Sequence, residues 1–172
     1  MRASDRERIL TFTRELPERD LLFLHLDITQ PEVVDNWIQR LEKGQEVTVL
    51  AEEVTDEPAE DGLPIVGFCS LHQSSILWTR HLGEIHLLVA SRYRGKGVGG
   101  QLARQIFAIA QGYKLHKLVA QMMSTQRTSQ SLFHHLDFIP EAMLHDWVID
   151  RNGRTHDLIV MSREVDDEDL FS

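Results

Sequence analysis

Apolar residues along this chain recur with two different periods, and the change of period divides it. Ile9, Leu10 and Phe12 follow Ser4-Asp5-Arg6-Glu7, where a serine with a glutamate three places on has the form of a capping box, so a short helix is predicted there. After Pro17, the run Leu21-Leu22-Phe23-Leu24-His25-Leu26 is too short for an amphipathic helix and reads as a strand. Thr29-Gln30-Pro31-Glu32 opens a second helix, with Val33, Val34, Trp37, Ile38 and Leu41 on one face and Gly44 just past its end.

From Gln45 onward strands dominate. Residues 46–52 and 65–72 read as strands separated by an acidic, patternless stretch over 54–62. A strand over 83–90 runs into a glycine-rich turn and then a helix over 99–113, whose Leu102, Ile106 and Ile109 share a face. A strand over 117–123, a short helix over 129–136 and two strands over 142–150 and 154–162 complete the order. Asn152-Gly153 between the last two is a hairpin signal that asks both turn residues to accept positive φ. Asp166-Asp167-Glu168-Asp169 reads as a solvated, disordered tail, and no internal repeat is present.

At 172 residues the chain predicts one domain, placed at 1–163 with a tail over 164–172, large enough to fold on an ordinary apolar core. Eighteen basic against 27 acidic residues give a net charge of −9, the wrong sign for holding a phosphate backbone, so no nucleic-acid partner is expected. The longest apolar runs fall far short of the roughly 20 residues of a spanning helix, and no membrane partner is expected either. One cysteine, Cys69, and a start without a signal-peptide pattern lead to a cytoplasmic expectation.

Chemistry concentrates in one segment. The strand Gly83-Glu84-Ile85-His86-Leu87-Leu88-Val89-Ala90 leads through Ser91-Arg92-Tyr93 to Arg94-Gly95-Lys96-Gly97-Val98-Gly99-Gly100 and the next helix. Glycines let a backbone approach a bulky anion, and the first amides of a helix point outward with partial positive charge behind them. A phosphate or pyrophosphate suits that arrangement. The Walker loop is excluded, because no lysine followed by a hydroxyl residue closes the run. Gly95, Gly97 and Gly100 formally satisfy the dinucleotide fingerprint, but no acidic residue lies between Gln101 and Leu136 to take the ribose.

A third pattern, Arg/Gln-x-x-Gly-x-Gly/Ala between a strand and a helix, is matched by Arg94-Gly95-Lys96-Gly97-Val98-Gly99 at every position. Here the chain resembles the GNAT superfamily of acyl-CoA-dependent N-acyltransferases. The resemblance covers about residues 46–163, including Glu84-Ile85 at the strand start, Phe138 after the short helix, and the closing hairpin with Asp157 and Met161. Residues 1–45 match only as an order of elements.

That resemblance implies an α/β (α+β) fold with a mixed, mostly antiparallel, twisted sheet of about six to seven strands flanked by helices. It implies that Arg94, Gly95, Lys96, Gly97, Val98 and Gly99 hold the pyrophosphate of acetyl-CoA, the cosubstrate. Leu88, Val89 and Ala90 would line the pantetheine arm, where their strand splays from its neighbour, and one of their amides would polarise the thioester. Gln126 stands where an asparagine often holds pantetheine. Phe133 stands where members usually carry a tyrosine that protonates the leaving thiolate, and Asp137 replaces the glycine before Phe138. Glu84 is the first candidate for the base that deprotonates an ammonium acceptor, and His86, on the same strand face, is the second.

The sequence therefore predicts an acetyltransferase acting by direct attack of a primary amine on acetyl-CoA, with Phe133 leaving the acid unassigned. The alternative is a GNAT-like module that binds acyl-CoA without turnover. The acceptor is an amine on a small molecule or a protein, and a homodimer is compatible with this reading. No metal is expected: His134 and His135 are adjacent on a helix and point about 100° apart. Cys69 reads as a small buried hydrophobe, and Trp37, Trp78 and Trp147 as core residues, with Trp147 also a candidate for an acceptor pocket.

Overall fold

In a computed structural model, residues 1–21, 26–56, 62–150 and 152–165 are described. Helices α1 (Arg6–Arg14), α2 (Glu18–Leu21) and α3 (Pro31–Glu42) precede strands β1 (Glu46–Glu52), β2 (Ile65–Gln73) and β3 (Leu82–Val89). Then follow α4 (Val98–Gly112), β4 (Lys117–Met123), α5 (Arg127–His135), β5 (Ile139–Ile149) and β6 (Thr155–Glu164). The strands form a six-stranded sheet in the order β1-β2-β3-β4-β6-β5. β3 pairs with β4 in parallel, whereas β4 with β6 and β5 with β6 are antiparallel, so the mixed sheet expected from the sequence is found.

The chain groups into two compact units. The first comprises Met1–Leu71 and Leu87–Ile106, the second His72–His86 and the described part of Phe107–Ser172. The core of the first is built from the apolar faces of α1 and α3 and from β2, whose residues Ile65 to Leu71 are all buried. Phe68 receives Trp37 at 5.0 Å and Phe12 edge-on at 6.4 Å between ring centroids. The indole N–H of Trp37 donates to Thr48 Oγ1 at 3.1 Å, and Thr48 Oγ1 lies 2.7 Å from Ser70 Oγ, so the polar atoms drawn into this core satisfy one another. α3 starts as expected with proline in its first turn, and Gly44 beyond its end takes φ of +67°.

β2 is pressed close to the end of β3. A Cβ on Gly67 would stand 2.8 Å from the Leu88 carbonyl oxygen, a backbone atom that cannot swing aside. Gly67→Ala is therefore expected to destabilise the protein by about 1–3 kcal/mol. At roughly 2–4 °C per kcal/mol for a chain of this size, a thermal melt with an unchanged midpoint would show that the strands accommodate the methyl group.

In the second unit Phe138, fully buried, carries Phe133 edge-on at 5.0 Å and Phe107 at 6.1 Å. The Arg163 guanidinium lies 4.7 Å over the Phe107 ring.

Several expectations are corrected. Ser4 does not pair with Glu7 in a capping box. The chain enters α1 through a 3₁₀ turn, Ala3–Asp5, and the Asp5 carboxylate accepts the Arg2 N–H at 2.7 Å. Leu21 ends α2 in place of starting a strand, Leu26 lies in a bend, and the intervening positions of that expected strand fall outside the described residues, as does the expected acidic tail. In the last hairpin only Gly153 among the described turn residues has positive φ, +79°. Its N–H donates to the Asp150 carbonyl and Asp150 N–H to the Arg154 carbonyl, each at 2.9 Å, so the connection is longer than the two-residue turn that Asn-Gly suggests. Trp37 is core as expected, but Trp78 and Trp147 are 81% and 65% exposed. Trp78 is the middle residue of the 3₁₀ turn Leu77–Thr79, and Trp147 sits on β5, at the sheet edge.

Candidate active site

The end of β3 and the glycine loop lie in the first unit. Gly95 and Gly97 take φ of +73° and +82°, left-handed conformations that favour glycine. A Cβ built on either would meet nothing within 4 Å, so the protein's own packing leaves the space above both glycines open. The next residue, Val98, starts the 15-residue helix α4, and Gln101 N–H closes its first turn on the Gly97 carbonyl at 3.0 Å. Outward amides, open space above the glycines and a long helix behind them fit a diphosphate group.

The cations beside the loop are held. The Arg92 guanidinium and Lys96 ammonium lie 4.9 Å and 5.2 Å from the Tyr93 ring centroid. The Tyr93 hydroxyl donates to the Glu53 carboxylate, which pushes the phenol above its ordinary range. Arg94 turns away from this pair: Nε donates to the Val89 carbonyl at 2.9 Å, and Nη2 stands 2.8 Å from Oδ2 of Asp20 in α2. Of the three β3-end residues assigned to the acyl arm, Leu88 and Val89 are buried, and the Ala90 N–H is committed to the Val66 carbonyl at 2.9 Å. That bond leaves the Ala90 N–H unavailable to a ligand.

The start of β3 and the segment after β4 lie in the second unit. The parallel register of β3 with β4 runs from Leu82↔Lys117 through Gly83↔Leu118 to Glu84↔Val119, so Glu84 stands at its last pair. Oε1 of Glu84 is buried with no hydrogen-bond partner, and Nε2 of His86 lies 3.7 Å from it, beyond hydrogen-bond distance. A buried carboxylate oxygen without a hydrogen-bond donor is uncommon in a folded protein. Gln126 sits just before α5 and turns Oε1 back to accept the Met123 N–H at 2.8 Å, capping the end of β4. Phe133 is 5% exposed and packed in the core, with no hydroxyl to donate.

The acetyltransferase (GNAT) family profile matches residues 10–138, three quarters of the sequence. This chain belongs to the GNAT family. The match begins well before the resemblance at 46–163 read from motifs, and so draws α1 to α3 into the family pattern. No match is found among curated protein sequences. Solved structures share the GNAT fold. The ribosomal-protein-alanine N-acetyltransferase of Brucella melitensis aligns with a TM-score of 0.78 at 23% identity, over 94% of each chain. The ribosomal-protein-S5-alanine acetyltransferase of Vibrio fischeri aligns at 0.78 and 17% identity, over 97% of this chain and 91% of its own. For yncA of Salmonella typhimurium, solved with its cofactor acetyl-CoA, the values are 0.77 and 22%, over 95% and 91%.

Within the GNAT frame Asp137 explains itself. It takes φ of +63° directly after α5, the left-handed position that the family's glycine occupies without strain. Asp137→Gly is expected to stabilise the protein by about 0.5–1 kcal/mol, measured by denaturant unfolding. A destabilised variant would show that the aspartate side chain holds the turn by bonds of its own. Among the described residues no group of three His, Cys, Asp or Glu is placed to hold a metal, and no helix is long and apolar enough to cross a membrane. Cys69 is fully buried in β2, and burial pushes its thiol far above the usual range, which leaves it without thiolate character. Two partners of the loop were not foreseen: Asp20, in a segment whose spacing suggested only the approach to a strand, and Glu53, at the edge of the acidic loop.

Proposed function

We propose that this GNAT protein is an amine N-acetyltransferase in which Glu84 draws the proton from an ammonium acceptor, directly or through water. The observation that carries the proposal is the buried, donorless Oε1 of Glu84, on the strand that leads into the Arg94–Gly99 loop. When bound, acetyl-CoA supplies the activated acetyl group and the thiolate leaving group. The chain's own residues do the rest. Amides over 95–99 bind the diphosphate, an amide of Leu88 or Val89 polarises the thioester carbonyl, and Glu84 holds the acceptor's proton while the amine nitrogen bonds to the acyl carbon. Phe133 has no proton to give to a leaving thiolate, so that proton would come from water, which would also take the second proton that the nitrogen loses as the amide forms. His86, beside Glu84, is the second base candidate. The site belongs to a domain over residues 1–163 working in the cytoplasm.

Two fold relatives are named for ribosomal-protein alanine, so alanine-terminated peptides head the acceptor panel, followed by lysine peptides, polyamines and amino acids. A net charge of −9 favours cationic acceptors within it. Release of CoA thiol with at least one amine, and a matching acetyl mass increment on that amine, is the expected result. The packed, hydroxyl-free Phe133 favours one rival, a module that binds acyl-CoA without turnover. Tight CoA binding with no thiol release across the panel would establish the rival.

A further inference from the structure

The arginine that opens the loop motif, its side chain 38% exposed, pairs with a buried carboxylate from another part of the chain. Asp20 in α2 is 7% exposed. Its Oδ2 accepts from Ser91 Oγ at 3.0 Å and pairs with Arg94 Nη2 at 2.8 Å, while Arg94 Nε donates to the Val89 carbonyl. Ser91 opens the 3₁₀ turn that joins β3 to the glycine loop and Arg94 follows its end, and there Tyr93 N–H and Arg94 N–H close on the Ala90 and Ser91 carbonyls. One buried oxygen thus ties both ends of the connection between the strand and the loop, and the tie reaches across 71 positions of sequence.

A buried carboxylate costs several kcal/mol of desolvation unless it is paired. A sequence that needed only a turn there could use neutral side chains. We propose that Asp20 is a positioning residue for the glycine loop, and that Arg94 serves as the strut between Asp20 and the end of β3, the anion being met by the backbone amides over 95–99. The proposal rests on the acetyl-CoA reading of the loop and adds to it that α2 sets the loop's shape. It also gives opposite signs to one substitution. If Arg94 were a direct ligand of the diphosphate, Asp20 would compete with the anion for it, and Asp20→Ala would leave CoA binding unchanged or tighter. As a strut, Arg94 loses its anchor in Asp20→Ala, and CoA binding weakens.

The test is calorimetric titration of CoA into wild type, Asp20→Ala, Asp20→Asn, Arg94→Ala and the double alanine variant, with hydrogen exchange of the free proteins read by mass spectrometry. Asp20→Ala is expected to weaken CoA roughly tenfold, Arg94→Ala by a similar factor, and the double variant no further than either. Asp20→Asn, which still accepts both hydrogen bonds, is expected to stay within about threefold of wild type. Exchange over 91–99 should quicken in Asp20→Ala and Arg94→Ala with the rest of the protein unchanged. Unaltered or tighter binding in Asp20→Ala, or additive losses in the double variant, would overturn the strut. Should Asp20→Ala fail to fold, Ser91→Ala removes only the lesser bond and should still quicken exchange over the same segment; no change there would count against the proposal. If wild type does not bind CoA, the acetyl-CoA reading fails, and the exchange data alone decide whether Asp20 shapes the loop.

Discussion

Glu84→Gln should lower turnover by about 10²–10⁴ near neutral pH, which is about 2.7–5.5 kcal/mol of transition-state stabilisation, with CoA affinity little changed. The substitution keeps the shape of the side chain and removes only its capacity to take a proton. Oε1 of Glu84 already lacks a hydrogen-bond partner, so an amide placed there breaks no bond at that atom and relieves a partly desolvated charge. The thermal midpoint should therefore hold or rise. The defect should shrink as pH climbs towards the acceptor's own pKa, about 8 for a peptide's terminal amine and about 10 for an alkylamine, because the amine then arrives deprotonated and needs no base. A structural role for Glu84 predicts a loss that ignores pH and a lower midpoint. Full activity of the variant at pH 7 would pass the base to His86, whose ring nitrogen stands 3.7 Å from the carboxylate, or to solvent.

Local patterns carried the expectations that held. The second helix was readable because proline in its first turn, the buried Val34, Trp37 and Ile38, and a left-handed Gly44 are each a short-range signal. The glycine run is a local feature too: Gly95 and Gly97 take their positive φ inside a few residues. Misreadings came where a distant partner or the tertiary surroundings decide. Ser4 and Glu7 have the spacing of a cap, yet the 3₁₀ turn at Ala3–Asp5 makes Asp5 the acceptor. Trp147 has the composition of a core residue but lies on the edge strand, a position set by sheet order. The pairing of Arg94 with Asp20 joins distant segments and leaves no periodic trace in the sequence at all.

The open space above the loop glycines makes Gly97→Asp a strong test of where the anion sits. Because a Cβ on Gly97 would meet nothing within 4 Å, the substitution creates no clash with the folded protein; its internal cost is a left-handed φ of +82°, which aspartate tolerates better than most residues. Stability should fall by only about 1 kcal/mol. Binding should suffer far more. A carboxylate about 4 Å from a diphosphate repels it by about 4 kcal/mol at an effective dielectric constant of 20, so CoA affinity should drop by about 10²–10³. Gly97→Ala separates the two effects, since it carries the backbone strain without the charge and should cost binding less than about tenfold. Titration of CoA against both variants, with melting curves for each, reads the difference directly. Equal and small losses of affinity in the two would mean that no anion approaches the Gly97 backbone, and the diphosphate would then have to be sought away from the Arg94–Gly99 loop.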